Sequence, residues 1–173
     1  MLHKFLNPLY AFIVSPAFAG EVSGLPDAWV GTRYGACYTS VAEGMSDVYG
    51  PDYSSDDNIG ARHVSYGVDE MIVSVDRTSG TNASQTIFEK RANGNWCVVL
   101  TSPPVSNLAP IMQDGISSRP LQWVTLTQAS PGYPETKIIY TWNKHKSIYF
   151  PSHCYHVYKN KMKKFECRNA YEE

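Results

Sequence analysis

The sequence predicts a mainly β (or α+β) domain: an antiparallel sheet or meander with one or two short helices, stapled by disulfides. Three observations predict it. Short runs rich in β-branched and aromatic residues alternate with turn residues, at strand length rather than helix length. Helix start signals are few. The four cysteines, Cys37, Cys97, Cys154 and Cys167, are even in number, as in the disulfide framework of a small exported chain.

Taken in chain order, Thr39-Ser40-Val41-Ala42-Glu43 starts a short helix, with Thr39 or Ser40 as cap and a glutamate three or four residues on. Gly50-Pro51 stops it, and the polar stretch from Asp52 to Asn58 reads as a surface loop. Met71 to Val75 is a strand. Gln85 to Arg91 and Trp96 to Leu100 flank Ala92-Asn93-Gly94-Asn95, and Asn-Gly between two such runs is a strong hairpin signal. Val105 to Met112 suggests a further short turn of helix, limited by Pro110. Leu121 to Thr127 alternates as a half-buried strand. Lys137 to Trp142 and Ser147 to Phe150 flank the polar turn Asn143-Lys144-His145-Lys146, so the C-terminal half reads as a meander.

The last hairpin suggests a disulfide. With the two-residue turn placed at Asn160-Lys161, Lys159 faces Met162, His156 faces Phe165, and Cys154 falls opposite Cys167. That pair is non-hydrogen-bonded, with Cα atoms about 4.5 Å apart. A disulfide spans about 4.4–6.8 Å. Cys37–Cys97 is then the remaining pair. In the chain-entropy model it contributes roughly 4 kcal/mol and the hairpin bridge roughly 3 kcal/mol.

Residues 1–19 read as a signal peptide: Lys4, an apolar centre from Leu9 to Val14, and Ala17-Phe18-Ala19 as the small-x-small cleavage pattern. The segment is too short to span a bilayer. Residues 20–173 then form a single β-rich exported domain, periplasmic or extracellular, with Gly20 first. No second apolar run has spanning length, so the protein is expected not to span a membrane. Charge is unevenly spread. Residues 20–118 carry twelve acids and five bases, whereas residues 119–173 carry nine bases and four acids. Such asymmetry suits either attraction between the halves or a basic surface for an anionic partner.

Three constellations could carry chemistry. Gly35-Ala36-Cys37-Tyr38-Thr39-Ser40 puts a cysteine just before a helix start, where the helix dipole stabilises a thiolate. His63, in Arg62-His63-Val64-Ser65-Tyr66-Gly67, is the candidate base. These two stretches resemble papain-like and cell-wall peptidase layouts, which place a Cys at a helix start and a His on a later strand. The resemblance implies a hydrolase of cell-wall peptide with Cys37 as nucleophile and His63 as base. It covers these stretches alone, and twenty-six residues separate the two, fewer than those folds usually need. His153, Cys154 and His156, with His145 nearby, are zinc-ligand types. On a strand, however, His153 and His156 point to opposite faces, so no metal or other cofactor is expected. The basic, aromatic run from Tyr140 to Lys164 offers Tyr140, Trp142, Lys144, Lys146, Tyr149, Lys161 and Lys163 as a binding surface, against the plainer reading of a strand face with solvated turns.

Asn82-Ala83-Ser84 fits a glycosylation sequon, meaningful in a eukaryotic host only. Asp56-Asp57 and Asp69-Glu70 read as solvated loop ends. Gly-rich phosphate loops, Gly-x-Ser-x-Gly and His-Glu-x-x-His are absent. The expectation is a small exported binding protein, of inhibitor or immunity type, that binds another protein or an anionic envelope component, with no nucleic-acid partner. The hydrolase is the alternative to this non-enzymatic reading, and a structural envelope component the second alternative.

Overall fold

The computed structural model describes residues 33–67, 69–77, 82–112, 119–127 and 131–168. The expected signal peptide and Gly20 lie outside the described residues.

Two five-stranded antiparallel sheets make up the fold. The first comprises β1 (Cys37–Tyr38), β2 (Ile59–Tyr66), β3 (Asp69–Asp76), β4 (Ser84–Lys90) and β5 (Trp96–Thr101), in spatial order β1-β5-β4-β3-β2. The second comprises β6 (Asn107–Ile111), β7 (Gln122–Leu126), β8 (Glu135–Asn143), β9 (Ile148–Tyr158) and β10 (Lys161–Phe165), in order β10-β9-β8-β7-β6. The mainly β, antiparallel, disulfide-stapled fold expected from the sequence is what the chain adopts, and the C-terminal half is a plain meander.

One apolar cluster joins the sheets. Met71, Val73, Ile87, Val99 and Leu100 from the first meet Leu108, Trp123, Ile138, Tyr140, Tyr149 and Cys154 from the second. The aromatic rings pack edge-on, with centroids 6.4 Å apart for Trp123 and Tyr149 and 4.9 Å for Trp142 and Tyr149. Such pairs favour the arrangement beyond their area burial.

The helix α1 (Val41–Tyr49) covers the other face of the first sheet. Ser40 caps it, its Oγ accepting the Glu43 N–H at 3.2 Å. Glu43 reaches back to accept from the Thr39 backbone N–H at 2.9 Å and hydroxyl at 2.7 Å. Those hydrogen bonds hold the Glu43 carboxyl below its ordinary value. Gly50, at φ 98°, ends the helix. Gly44 lets α1 sit close: a Cβ there would lie 2.7 Å from Phe88 Cε1 and 2.8 Å from Tyr38 Cδ2. Gly44→Ala gains about 1 kcal/mol of helix propensity, but overpacking typically costs about 1–3 kcal/mol. We expect net destabilisation, read as a lower urea midpoint at unchanged slope.

The Val105–Met112 stretch corrects the sequence expectation of a helical turn. Asn107–Ile111 is strand β6, paired with β7 through Ala109↔Val124 and Pro110↔Trp123. Proline biases its predecessor toward extended backbone, and β6 is an edge strand, where a missing N–H is tolerated.

Candidate binding surface

The C-terminal hairpin carries the densest charge. Its turn is Lys159-Asn160, one residue earlier than the Asn160-Lys161 expected from sequence. Both residues have positive φ, 46° and 63°, as a type I′ turn requires. The register becomes Tyr158↔Lys161, His156↔Lys163 and Cys154↔Phe165, so Cys167 lies two residues beyond the residue facing Cys154. A shift of two preserves which side chains share a face. The chain leaves the strand after Phe165, and the Cys154–Cys167 bridge forms at a Cα separation of 5.2 Å. His156 stacks on Phe165 beside it, ring centroids 4.2 Å apart.

Lys159, Lys161, Lys163 and Lys164 project from this hairpin into solvent, and no carboxylate among the described residues pairs with any of them. Lys159 lies over the Tyr158 ring, 5.2 Å from its centroid. Two large apolar side chains share the tip, Tyr158 at 44% exposure and Met162 at 60%.

The other expected binding residues do not join this surface. Tyr140 and Tyr149 are fully buried and belong to the core. The Tyr149 hydroxyl donates to the Pro120 carbonyl at 2.8 Å, and burial pushes its phenol up. Trp142 is half-buried beneath Arg119, whose guanidinium sits 3.9 Å from the ring centroid. Lys144 and Lys146 are exposed in the β8–β9 turn. That turn and the β9–β10 turn lie at opposite ends of β9, eleven residues long, hence about 35 Å apart. The four lysines grouped from sequence therefore form two separate patches.

Cys37 and His63 do not meet either. Cys37 is bonded to Cys97 directly across the strand pair, at a Cα separation of 4.0 Å. It sits on β1, at one edge of its sheet, while His63 sits on β2, at the other. The His63 ring Nε2 instead lies 3.9 Å from a Glu70 carboxylate oxygen. All four cysteines are bridged, so the thiolate that the hydrolase alternative needs is not present. Among the described residues, no three His, Cys, Asp or Glu side chains come together to hold a metal. No helix among them is long and apolar enough to cross a membrane.

One charged cluster escaped the sequence reading. Glu89, 1% exposed, receives two hydrogen bonds from Arg119, at 2.9 and 2.7 Å, and one from Arg91. Arg91 also donates to the Ser147 carbonyl at 2.6 Å. Asp69 accepts the Arg119 backbone N–H at 2.9 Å, so it is no solvated loop end. Glu70 bonds Lys90 at 3.2 Å. Burial lowers the Arg91 pKa, and Glu89 offsets only part of that. Burial also opposes the charge on Arg119, but the forked hydrogen bonds and the charge of Glu89 outweigh it and raise the pKa. Two cations face two anions here: Glu89 and Asp69 on strands of the first sheet meet Arg119 from the β6–β7 connection of the second, and Arg91 reaches the β8–β9 turn at Ser147. Among the described residues the cluster is a self-neutralised lock between the two halves.

No family model, curated protein or solved structure matches the chain. What the chain binds must be argued from its own surface chemistry, and that chemistry is concentrated on the β9–β10 hairpin.

Proposed function

We propose that the protein is an exported binding protein, of inhibitor or immunity type, that engages an anionic partner through the β9–β10 hairpin. A single observation carries the reading: four lysines with no carboxylate partner among the described residues share one hairpin with exposed Tyr158 and Met162. Leaving such charges unpaired does little for the fold, whereas a basic patch raises the encounter rate with an anionic partner. Exposed aromatic and methionine side chains supply contact area. The two disulfides fit an oxidising compartment, in keeping with export.

The test compares two surface variants. Lys161→Ser/Lys163→Ser/Lys164→Ser should weaken capture of partners from envelope extract and flatten the salt dependence of association. Lys144→Ser/Lys146→Ser, at the other end of β9, should leave both unchanged. Each variant should keep its urea midpoint, because exposed substitutions of this kind usually stay within about 0.5 kcal/mol. Equal losses in both variants would mean that the hairpin is not the contact surface.

A further inference from the structure

We infer that the β9–β10 hairpin seats on an anionic lipid surface; this rests on the reading of the hairpin as the contact surface and names its partner. The geometry of the charge favours a membrane over a protein pocket. Side chains alternate between the two faces of a β-ribbon. Lys161 and Lys163 therefore share one face with their partners Tyr158 and His156. Met162 and Lys164 share the other face with Val157 and Tyr155. Lys159 occupies the turn itself. The cations thus ring a convex tip instead of lining one side of a groove. A planar, fluid array of anionic headgroups can satisfy charges pointing in all these directions, whereas a rigid protein partner would have to wrap the tip with correctly placed acids.

The apolar residues fit the same surface. Tyr158 and Met162 lie next to the turn on opposite faces, so both reach the interfacial region when the tip docks end-on. Tyrosine is at home there, with an apolar ring and a polar hydroxyl. Lysines alongside can extend their apolar stems while keeping the ammonium groups at headgroup level. Two carboxylates lie in this corner among the described residues. Glu135, on β8, faces Val157, and Glu166 is held by Arg168 at 2.8 Å. They leave the hairpin strongly cationic.

The experiment is vesicle flotation with the processed, exported protein, using phosphatidylcholine alone and phosphatidylcholine mixed with phosphatidylglycerol, at low and at molar salt. The wild type should float with the mixed vesicles at low salt and be released at high salt, where screening is nearly complete beyond about 3 Å. Each lysine near an anionic leaflet strengthens binding about fivefold. The Lys161→Ser/Lys163→Ser/Lys164→Ser variant should then bind roughly a hundredfold more weakly. Tyr158→Ser/Met162→Ser should weaken binding with its salt dependence intact. Lys144→Ser/Lys146→Ser should match the wild type, and a loss in that variant equal to the hairpin variant's would overturn the inference. So would a wild type that ignores the mixed vesicles. If the wild type ignores them while the hairpin variant still loses a protein partner in detergent-solubilised extract, the lipid inference falls and the binding-protein reading stands. If neither depends on the hairpin, both fall.

Discussion

Glu89→Ala should destabilise the fold by about 3–5 kcal/mol, the range for breaking a buried ion pair by removing one partner. The reason is what remains. Arg119 and Arg91 are each about three-quarters buried, with relative exposures of 26% and 23%. Without Glu89 they face each other with Asp69 as the nearby counter-charge among the described residues. A loss of this size is a large part of the roughly 5–15 kcal/mol that a typical domain possesses. Glu89→Gln keeps the shape and one acceptor but not the charge, so it should fall between alanine and wild type. Urea unfolding followed by tryptophan fluorescence reads both, since Trp142 lies directly against Arg119. A loss below about 1 kcal/mol for alanine would mean that water hydrates the arginines in place, as at an exposed pair.

Cys37→Ser/Cys97→Ser should cost about 4 kcal/mol, and Cys154→Ser/Cys167→Ser about 3 kcal/mol, from the loop each bridge closes in the unfolded chain. The sequence separations are 60 and 13 residues. Thermal and urea midpoints of the two double variants, compared with the oxidised parent, check the order. If the hairpin variant is the weaker one, local packing at the buried Cys154 outweighs the entropy of the longer loop.

The legibility of the chain varied with how local each signal was. The capped helix, the Asn-Gly hairpin and the meander from Leu121 onward could be read because a few neighbouring residues determine them. The sequence points to a turn one residue after Lys159-Asn160, because Asn suits either central position of such a turn. Only the observed positive φ of Lys159 separates them. The strand at β6 was hidden by Pro110, whose tolerance depends on lying at a sheet edge, a tertiary fact. Strand β2 gave no clean alternation, since its middle is exposed. Within the candidate site, the lysines were evident from composition, but not their division between the two ends of β9. Tyr140 and Tyr149 are indistinguishable from surface tyrosines until the first sheet is packed against theirs. Glu89 looks like any charge in a strand; what marks it out is Arg119, thirty residues away in sequence.

The strand order has a kinetic consequence. Across the two sheets, every adjacent pair but one joins strands that are consecutive in sequence, so most pairing can form by zipping hairpins over short loops. Low sequence separation between contacting residues speeds folding, and β-proteins are usually slow because they lack it. The exception is β1 beside β5, the pair that the Cys37–Cys97 bridge ties together. In the oxidised chain the bridge holds this pair, the one strand pairing between distant segments, from the outset. In the reduced chain this pairing becomes the slow step, which makes the nascent, unbridged protein the form most exposed to aggregation.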